Sequence, residues 1–456
     1  MHDKNAPQLL LINPWIADVA AFDLWAWPLG LLYGASILRN WGCRIHLIDC
    51  TDRAHPALGD IGPRPRKYHT GKYYFEKWPE QPVPAQKAGR IFKRFGIPSE
   101  VFEDELDNVE ADWTRPPDAV LLTSRMTYWY PGVRDAIRRV RLRWKNVPVI
   151  LGGIYATLCT DHARESSGAD MVLPGYGWDK LGEWLQQNTL SLKHSEIRSH
   201  PEDWPKPAFD LCHSREALPI ASSMGCPCHC HYCASRLLQP QYLRRSAENV
   251  FQEIEDYHRR WQTVDFAFYD DALLMESEDF FLPLLERIVK AGLAIRLHTP
   301  NGMHYDQISS RLAEAMRPAG MTTLRLSLES VEASQLRRWN RDGNVKKFIK
   351  AVASLRQAGY ERKDIGVYIM AGMPCQSVDS VRASIDIAHE AGATPKLNEY
   401  SPIPGTMEWD RALAVSGSEI AEEPLWQNNS FYYTRPEAFP REAFESLKKY
   451  AQGRAA

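Results

Sequence analysis

Short apolar runs alternate with amphipathic helical stretches along almost the whole chain, and this alternation is typical of parallel α/β folds. The first half contains five candidate strands, at 8–13, 43–49, 118–123, 147–153 and 169–174. Helical stretches fit between most of them. This half therefore predicts a five-stranded, doubly wound, Rossmann-like domain with its ligand crevice at the carboxyl ends of the strands.

The second half repeats the strand–helix unit six times. Its candidate strands lie at 218–224, 264–270, 294–300, 322–328, 365–372 and 395–401, with helices such as 247–261 and 378–391 between them. Eight units would make a closed barrel, so six units predict an open, partial (β/α)6 barrel. The chemistry of such barrels lies at the carboxyl ends of the strands.

These patterns divide the chain into four parts. We predict a Rossmann-like domain over 1–187 with a long insertion at 51–116, a linker over 188–217, a barrel core over 218–410 and a carboxy-terminal extension over 411–456. The insertion is rich in proline, lysine and aromatic residues and shows no clear period. It is interpreted either as a lid or as a packed surface loop.

Charge and hydropathy exclude several classes of protein. The net charge is -2, so no overall basic field exists to hold nucleic acid or an anionic membrane. A helix over 133–145 carries a basic face, which we interpret as solvated. The most apolar stretch, 24–38, has 15 residues, fewer than the roughly 20 that a membrane span needs. It predicts a helix buried against the sheet.

Cysteine usage indicates the compartment. The chain has nine cysteines, an odd number with four of them clustered, which is a poor disulfide framework. The amino-terminal residues lack the features of a signal peptide. We therefore predict a cytoplasmic protein in a reducing environment.

The cluster of cysteines lies in the stretch GCPCHCHYCAS, residues 225–235. Cys226, Cys230 and Cys233 have the spacing C-x3-C-x2-C and directly follow the first strand of the barrel. Thiolates so spaced can hold one face of an iron–sulfur cube, one sulfur per iron, and leave the fourth iron open. A structural zinc site that adds Cys228, His229 and His231 is the alternative, although no second C-x2-C pair exists. Cys228 itself is interpreted as an inert loop thiol or an alternative ligand.

This motif and its position resemble the radical S-adenosylmethionine (SAM) superfamily, in which an aromatic residue usually precedes the third cysteine, as Tyr232 does here. The resemblance covers roughly residues 215–410. It implies a [4Fe–4S] cluster whose open iron binds SAM, reductive cleavage of SAM to a 5′-deoxyadenosyl radical, and a reducing partner of the flavodoxin or ferredoxin type. It also implies that Tyr232 backs the SAM adenine and that the substrate is a small molecule.

The same resemblance implies SAM contacts at the strand ends. Asp270 and Asp271 follow the second strand, Ser327 and Glu329 the fourth, and Gly372 the fifth. The Gly-Gly-Glu stretch that many members use for the methionyl amine is absent, so the aspartates are expected to substitute for it. Alternatively, these acids cap the helices that follow.

The first half resembles the cobalamin-binding domain that often precedes this radical core, through the stretches WPLGLLYGASILRNWGCRIHLID, VILGGIYAT and VLPGYGWDKL. The residues expected at the cobalamin site are Ser124, Thr127, Gly152, Gly153 and Gly175. The motif Asp-x-His-x-x-Gly, which supplies the lower cobalt ligand, is absent. A degenerate domain that only holds substrate or covers the barrel is the alternative.

Together the resemblances imply cobalamin-dependent methyl transfer to an unactivated carbon. A radical SAM enzyme that does not methylate, and a non-catalytic iron–sulfur or zinc protein, remain as alternatives. A nucleic-acid-modifying enzyme is disfavoured by the net charge. No residue is assigned a catalytic role from the sequence, and the pattern does not name the substrate.

Overall fold

The computed structural model describes residues 6–188, 192, 200–432 and 439–453. The chain forms two compact units, one from Met1–Arg215 with Glu422–Gln427 and the other from Glu216–Ala421 with Asn428–Ala456. The return of 422–427 to the first unit has no signal in the sequence pattern. It is stabilised by side-chain hydrogen bonds, including one from the Tyr130 hydroxyl to Glu423 (3.1 Å).

The first unit is built on a five-stranded parallel sheet, which confirms the predicted doubly wound fold. Its strands are β1 (Gln8–Asn13), β2 (Arg44–Asp49), β3 (Ala119–Leu122), β4 (Val149–Leu151) and β5 (Met171–Val172). Their order is β2-β1-β3-β4-β5, and every neighbouring pair is parallel. The winding reverses between β1 and β3, so the ligand crevice of such a fold lies at the carboxyl ends of those two strands.

The helices of this unit cover both faces of the sheet as its connections. They are Leu29–Asn40, Ser99–Trp113, Tyr130–Arg143, Ile154–Leu158, Thr160–Ser166 and Trp178–Asn188. The first of them contains the end of the apolar stretch 24–38. Its Leu38 and Ala35 are fully buried in one core cluster with Leu9 and Leu11 of β1, as the sequence predicted. Among the described residues no helix has both the length and the apolarity to cross a bilayer.

The segment 51–116 is more regular than its sequence indicated. It ends in the 15-residue helix Ser99–Trp113, which provides the crossover from β2 to β3. The expectation of an irregular insertion is wrong for this part, because Phe102, Leu106, Val109 and Trp113 recur at helical spacing and are all buried. The rest forms short strands, short helices and turns, and its Phe92 is fully buried in the first unit.

The basic helix Tyr130–Arg143 directs its arginines at neighbouring acids. Arg139 pairs with Glu103 (2.5 Å) and Arg143 with Asp107 and Glu110 (both 2.5 Å), all three of which lie on Ser99–Trp113. Partly exposed ion pairs of this kind contribute little individually. They neutralise part of the basic face, which disfavours this helix as a contact for nucleic acid.

The second unit contains a six-stranded parallel sheet in sequential order. Its strands are β6 (Ala217–Ile220), β7 (Asp265–Phe268), β8 (Arg296–His298), β9 (Met321–Glu329), β10 (Ile365–Ala371) and β11 (Thr394–Glu399). The principal helices are Ala247–Trp261, Phe281–Lys290, Ser310–Met316, Ala333–Arg338, Val345–Gln357, Val378–Glu390, Trp409–Ser416 and Arg441–Ala451. Because β6 and β11 are edges of the sheet, the predicted open (β/α)6 barrel is confirmed.

A histidine–carboxylate cluster connects the helix Ser99–Trp113 to β2. Glu105 lies 3.4 Å from Nε2 of His46 and 3.5 Å from Nε2 of His55, and hydrogen bonds from these rings lower the pKa of Glu105 well below its usual value. His213 Nδ1 donates to Asp52 at 2.6 Å, which raises the pKa of His213. Glu105 and His213 therefore make the stability of the first unit depend on pH in opposite directions, because one pKa is lowered and the other is raised.

We predict that this cluster stabilises the first unit most between pH 4.5 and pH 6.5, the ordinary pKa values of the two groups. The depressed pKa of Glu105 gives stability that is lost as the pH falls, and the raised pKa of His213 gives stability that is lost as the pH rises. Denaturant unfolding measured from pH 3 to pH 8 tests this. In Glu105→Gln the acid-side loss should become smaller, whereas Asp104→Asn, an exposed neighbour on the same helix, should unfold as the wild type does. Identical acid-side slopes in wild type and Glu105→Gln would contradict the assignment.

Candidate functional site

The cysteine loop begins where the first strand of the second unit ends. After β6, Ser223–Met224 pairs with Leu243–Arg244 in a short antiparallel ladder, and Gly225 then turns the chain with a φ of 72°. A Cβ at Gly225 would lie 2.3 Å from the backbone oxygen of Gln241, so the turn requires glycine. It places the loop at the carboxyl edge of the parallel sheet, where barrel chemistry occurs.

The three predicted cluster ligands differ in exposure. Cys226 and Cys230 are half-buried, and Cys233 is exposed. The N–H of Cys233 donates to the carbonyl of Cys230 (3.1 Å), and the N–H of Ser235 is directed at Cys233 Sγ at 3.4 Å. Hydrogen bonds to ligand sulfurs are one of the ways in which a protein sets the reduction potential of an iron–sulfur cluster.

The two histidines of the loop serve as anchors. The His231 ring donates through Nδ1 to the carbonyl of Arg338 (2.8 Å), and its backbone N–H donates to Trp339 (2.9 Å). The carbonyl of His229 accepts from the Asn340 side chain (2.9 Å). These contacts fix the loop against the segment after Ala333–Arg338. They give no support to a zinc site built from His229 and His231.

Tyr232 lies inside this anchored loop, where its ring meets that of Trp339 edge-to-face with centroids 6.0 Å apart. Burial raises the pKa of Tyr232 well above its usual value, and the charge of Glu329 adds to the effect. The phenol is therefore neutral at physiological pH and offers an aromatic face beside the cysteines. This position is compatible with its predicted role beside adenine, which stays a prediction.

Glu329 ends β9 with a φ of 63°, a left-handed conformation that costs free energy for a residue with a Cβ and that often marks functional positions. The residue is 7 % exposed, and its Oε2 has no hydrogen-bond partner among the described residues. Burial raises the pKa of Glu329, although Arg341 and His304 oppose this. A buried acceptor without a donor in the protein makes Glu329 a candidate ligand contact.

Arg341 is a site residue that the sequence reasoning missed. It donates through Nη1 to Cys230 Sγ at 3.5 Å and through Nη2 to Ser327 Oγ at 2.6 Å. Burial opposes its charge, but Tyr232, Glu329 and Cys230 together raise the pKa of the guanidinium. Arg341 thus connects the predicted residues Ser327 and Cys230 through hydrogen bonds and is attracted by the charge of Glu329.

The two aspartates after β7 have different environments. Asp270 is 4 % exposed and accepts from the Ser222 N–H (3.1 Å), the Ser222 hydroxyl (2.6 Å) and the Ser223 hydroxyl (2.5 Å). Its oxygens are thus occupied in fixing the start of the loop. Asp271 is solvent-accessible, yet the protein around its carboxyl and the charge of Asp270 raise its pKa. Of the pair, Asp271 is the residue whose surface is exposed, whereas Asp270 is buried.

Gly372 follows β10 at the same edge of the sheet and is buried with a φ of 86°. The turn that it begins is closed by Gln376, whose side chain accepts from the N–H of Met373 (3.1 Å) and donates to the carbonyl of Met370 (2.9 Å). The residue thus lies in a rigid turn beside the other strand-end positions. Whether its backbone contacts SAM stays a prediction.

In the first unit, the structure brings together most of the residues expected at a cobalamin site. The Ser124 hydroxyl donates to the carbonyl of Gly152 (2.7 Å). A Cβ at Gly153 would lie 2.3 Å from the backbone oxygen of Ser124, so the chain itself requires this glycine. The N–H of Gly175 donates to the hydroxyl oxygen of Thr157 (2.9 Å), and an added Cβ at Gly175 would meet open space. Thr127 is buried and donates to Gln427 (2.5 Å).

A polar group that the sequence analysis did not name lies at the carboxyl ends of β1 and β2. Asn13 donates to Asp49 (2.6 Å) and to Thr51 (2.9 Å), and Arg125 donates to Thr51 (3.0 Å). Asn13 is 1 % exposed, and its Oδ1 lacks a hydrogen-bond partner within the described ranges. The sequence does contain a signal for this polar group, because a polar residue ends each of the two apolar strands, Asn13 in β1 and Asp49 in β2.

Comparison with known proteins supports a radical SAM core in the second half of the chain and a relation to methyltransferases. Residues 220–388 match the family model described as the radical SAM superfamily. The chain is 26 % identical to cytidylyl-2-hydroxyethylphosphonate methyltransferase of Streptomyces wedmorensis, over 93 % of this chain and 85 % of that protein. It is 24 % identical to an uncharacterized methyltransferase of Pyrococcus horikoshii, over 65 % of this chain and 70 % of that protein.

The fold is similar to that of the radical SAM methyltransferase TsrM of Kitasatospora setae. The structure of TsrM with tryptophan substrate and a SAM analogue aligns with a TM-score of 0.64 at 16 % identity, covering 90 % of this chain and 77 % of that one. A second structure of TsrM, with cobalamin and a [4Fe–4S] cluster bound, gives a TM-score of 0.62. At this identity the likeness shows the fold alone.

Proposed function

Residues 220–388 form a radical SAM domain, and from this premise we propose that the protein uses SAM, a [4Fe–4S] cluster and cobalamin to transfer a methyl group to a carbon atom of a small molecule. The observation that carries the proposal is the position of Cys226, Cys230 and Cys233. They lie in an anchored loop at the carboxyl edge of an open parallel barrel, together with the buried carboxyl of Glu329 and the half-buried Arg341, which donates to Cys230.

The residues present fit a cluster with SAM on its open iron. Cys226, Cys230 and Cys233 would hold three irons of the cluster through their thiolates and leave the fourth iron free for SAM, as the family resemblance implies. The unpaired Oε2 of Glu329 is an acceptor suited to the amine or the ribose of SAM. The Arg341 cation near Cys230 compensates part of the negative charge of the thiolates.

A reduced cluster held by Cys226, Cys230 and Cys233 would supply the electron for reductive cleavage of SAM, and with it the radical chemistry that removes hydrogen from a substrate. This chain's own residues provide binding, orientation and exclusion of water. Tyr232 gives a neutral aromatic face, and Glu329 gives a buried acceptor. Asp270 fixes the start of the loop through Ser222 and Ser223, so the ligand sulfurs stay in place.

Cobalamin binding in the first unit is supported by three features of that unit. The strand order β2-β1-β3-β4-β5 predicts a crevice at the end of β1. At the same strand end, Asn13 Oδ1 is a buried acceptor with no partner in the part of the chain that the structure describes, and space is open beside Gly175. The relatives named above as methyltransferases extend over most of this chain. The absence of Asp-x-His-x-x-Gly means that cobalt receives no histidine from that motif.

A reducing partner of the flavodoxin or ferredoxin type completes the proposal, because reductive cleavage of SAM consumes an electron. The first experiment is anaerobic reconstitution of the cluster, followed by measurement of 5′-deoxyadenosine and of the visible spectrum of added cobalamin. We expect nucleoside formation that depends on reductant and a cobalamin spectrum changed by the protein. Failure to form 5′-deoxyadenosine refutes the radical enzyme, and an unchanged corrinoid spectrum refutes the cobalamin part alone.

A further inference from the structure

Cys228, the fourth cysteine of the loop, contacts a histidine from another part of the barrel. Its Sγ lies 3.9 Å from Nε2 of His304. Together with Cys226 Sγ these atoms form a group of three potential metal ligands that all lie within 4.8 Å of one another. All three residues are half-buried, so the group is neither sealed in the core nor fully open to solvent.

His304 is held in place by the sheet. The preceding residue, Met303, forms a parallel bridge with Leu326 of β9. Its N–H donates to Arg325 (2.7 Å), and its carbonyl accepts from Ser327 (3.0 Å). The imidazole is therefore presented to the cysteine loop from a fixed backbone, as expected for a ligand that is positioned before a metal binds.

The ligand types of this group, and the distance between Cys228 and His304, fit a single Zn²⁺ ion. Zinc binds thiolate sulfur at about 2.3 Å and imidazole nitrogen at about 2.0–2.1 Å, so neighbouring ligands of a tetrahedral site lie about 3.5–3.8 Å apart. The distance between Cys228 and His304 agrees with that value within a few tenths of an ångström. A [4Fe–4S] cube instead assigns each cysteine to a different iron, so one mononuclear ion and the cube cannot share Cys226.

We propose that, before the cluster is assembled, Cys226, Cys228 and His304 bind one Zn²⁺ ion, with solvent in the fourth position. Binding releases the protons of the two thiols to solvent. Zinc binding also occupies Cys226, so the zinc form cannot hold the iron–sulfur cluster. This exclusion rests on the proposed function, in which Cys226 is a cluster ligand. The site would thus keep the loop ordered and its thiols protected until iron and sulfide displace the ion.

The test uses full-length, cluster-free protein under anaerobic conditions. Co²⁺ serves as a spectroscopic probe of thiolate ligation, and Zn²⁺ is then titrated in competition with a chromophoric chelator. We expect one ion per chain in the wild type. Cys228→Ser and His304→Ala should lose at least about tenfold in affinity, since removing even a supporting residue of a metal site costs that much. Cys233→Ser, which removes a thiol of the same loop outside the trio, should bind Zn²⁺ as the wild type does.

Two results would overturn the inference: a wild type that binds no Zn²⁺, or a Cys233→Ser variant weakened as much as Cys228→Ser. Circular dichroism of each variant shows that lost affinity does not reflect unfolding. Preloading with Zn²⁺ should slow cluster assembly in the wild type and leave Cys228→Ser unaffected; equal assembly rates would refute the exclusion. Cluster assembly and 5′-deoxyadenosine formation in Cys228→Ser are measured separately, so that a failed zinc site and a failed enzyme are distinguished.

Discussion

Replacement of Cys230 with serine is expected to abolish the iron–sulfur cluster and to reduce 5′-deoxyadenosine formation to background. Each of three thiolates holds one iron of the cube, and the loss of one leaves two irons without a protein ligand. Cys226→Ser and Cys233→Ser should give the same result. Iron and sulfide content after anaerobic reconstitution, together with the visible absorption of the cluster, measures the effect directly.

Cys228→Ser is the matched control for that experiment. It removes a thiol of the same loop, two residues from both Cys226 and Cys230, but leaves the C-x3-C-x2-C trio intact. We expect it to retain the cluster and SAM cleavage. Equal loss of iron in all four variants would show that the ligand assignment from spacing is incorrect, and full retention of iron in Cys230→Ser would do the same.

The fold could be predicted from the sequence to a large extent because its strands are local patterns. All eleven strands of the two sheets lie within or next to the apolar runs that predict them. The helix Ser99–Trp113 was missed although its buried residues recur at helical spacing, because glutamate and aspartate fill the positions between them. The return of 422–427 to the first unit depends on contacts between distant residues, such as Tyr130 and Glu423.

The candidate site could be predicted only where its residues follow one another or end a strand. The cysteine trio and Glu329 belong to this group. Arg341 and His304 do not, because Arg341 meets Cys230 across 111 positions of the chain and His304 meets Cys228 across 76. The different environments of Asp270 and Asp271 were likewise invisible, since only the folded chain shows that Ser222 and Ser223 occupy Asp270.

Glu329→Gln is expected to weaken SAM binding about 10- to 100-fold, which corresponds to about 1.4–2.8 kcal/mol, while the cluster is retained. Glutamine keeps the shape of the side chain but removes the negative charge, and hydrogen bonds to charged groups contribute about 1.5–3 kcal/mol. Equilibrium binding of SAM to the reconstituted, unreduced enzyme measures the change, and iron content shows that the cluster is intact. Glu332→Gln, three residues further on and exposed, is the control and should bind SAM as the wild type does.

The pH dependence of SAM binding shows whether SAM is bound by the charged or by the neutral form of the Glu329 side chain. Burial raises the pKa of this carboxyl, so the charged form is lost at a higher pH than for an ordinary glutamate. If SAM needs the carboxylate, its affinity for the wild type decreases as the pH falls toward that raised pKa, whereas Glu329→Gln shows no such decrease because its amide does not titrate. Parallel pH profiles for the two proteins, or equal affinities at neutral pH, would mean that the unpaired oxygen of Glu329 does not face SAM. The group formed by Glu329, Arg341 and Ser327 would then serve to hold the cysteine loop through Cys230.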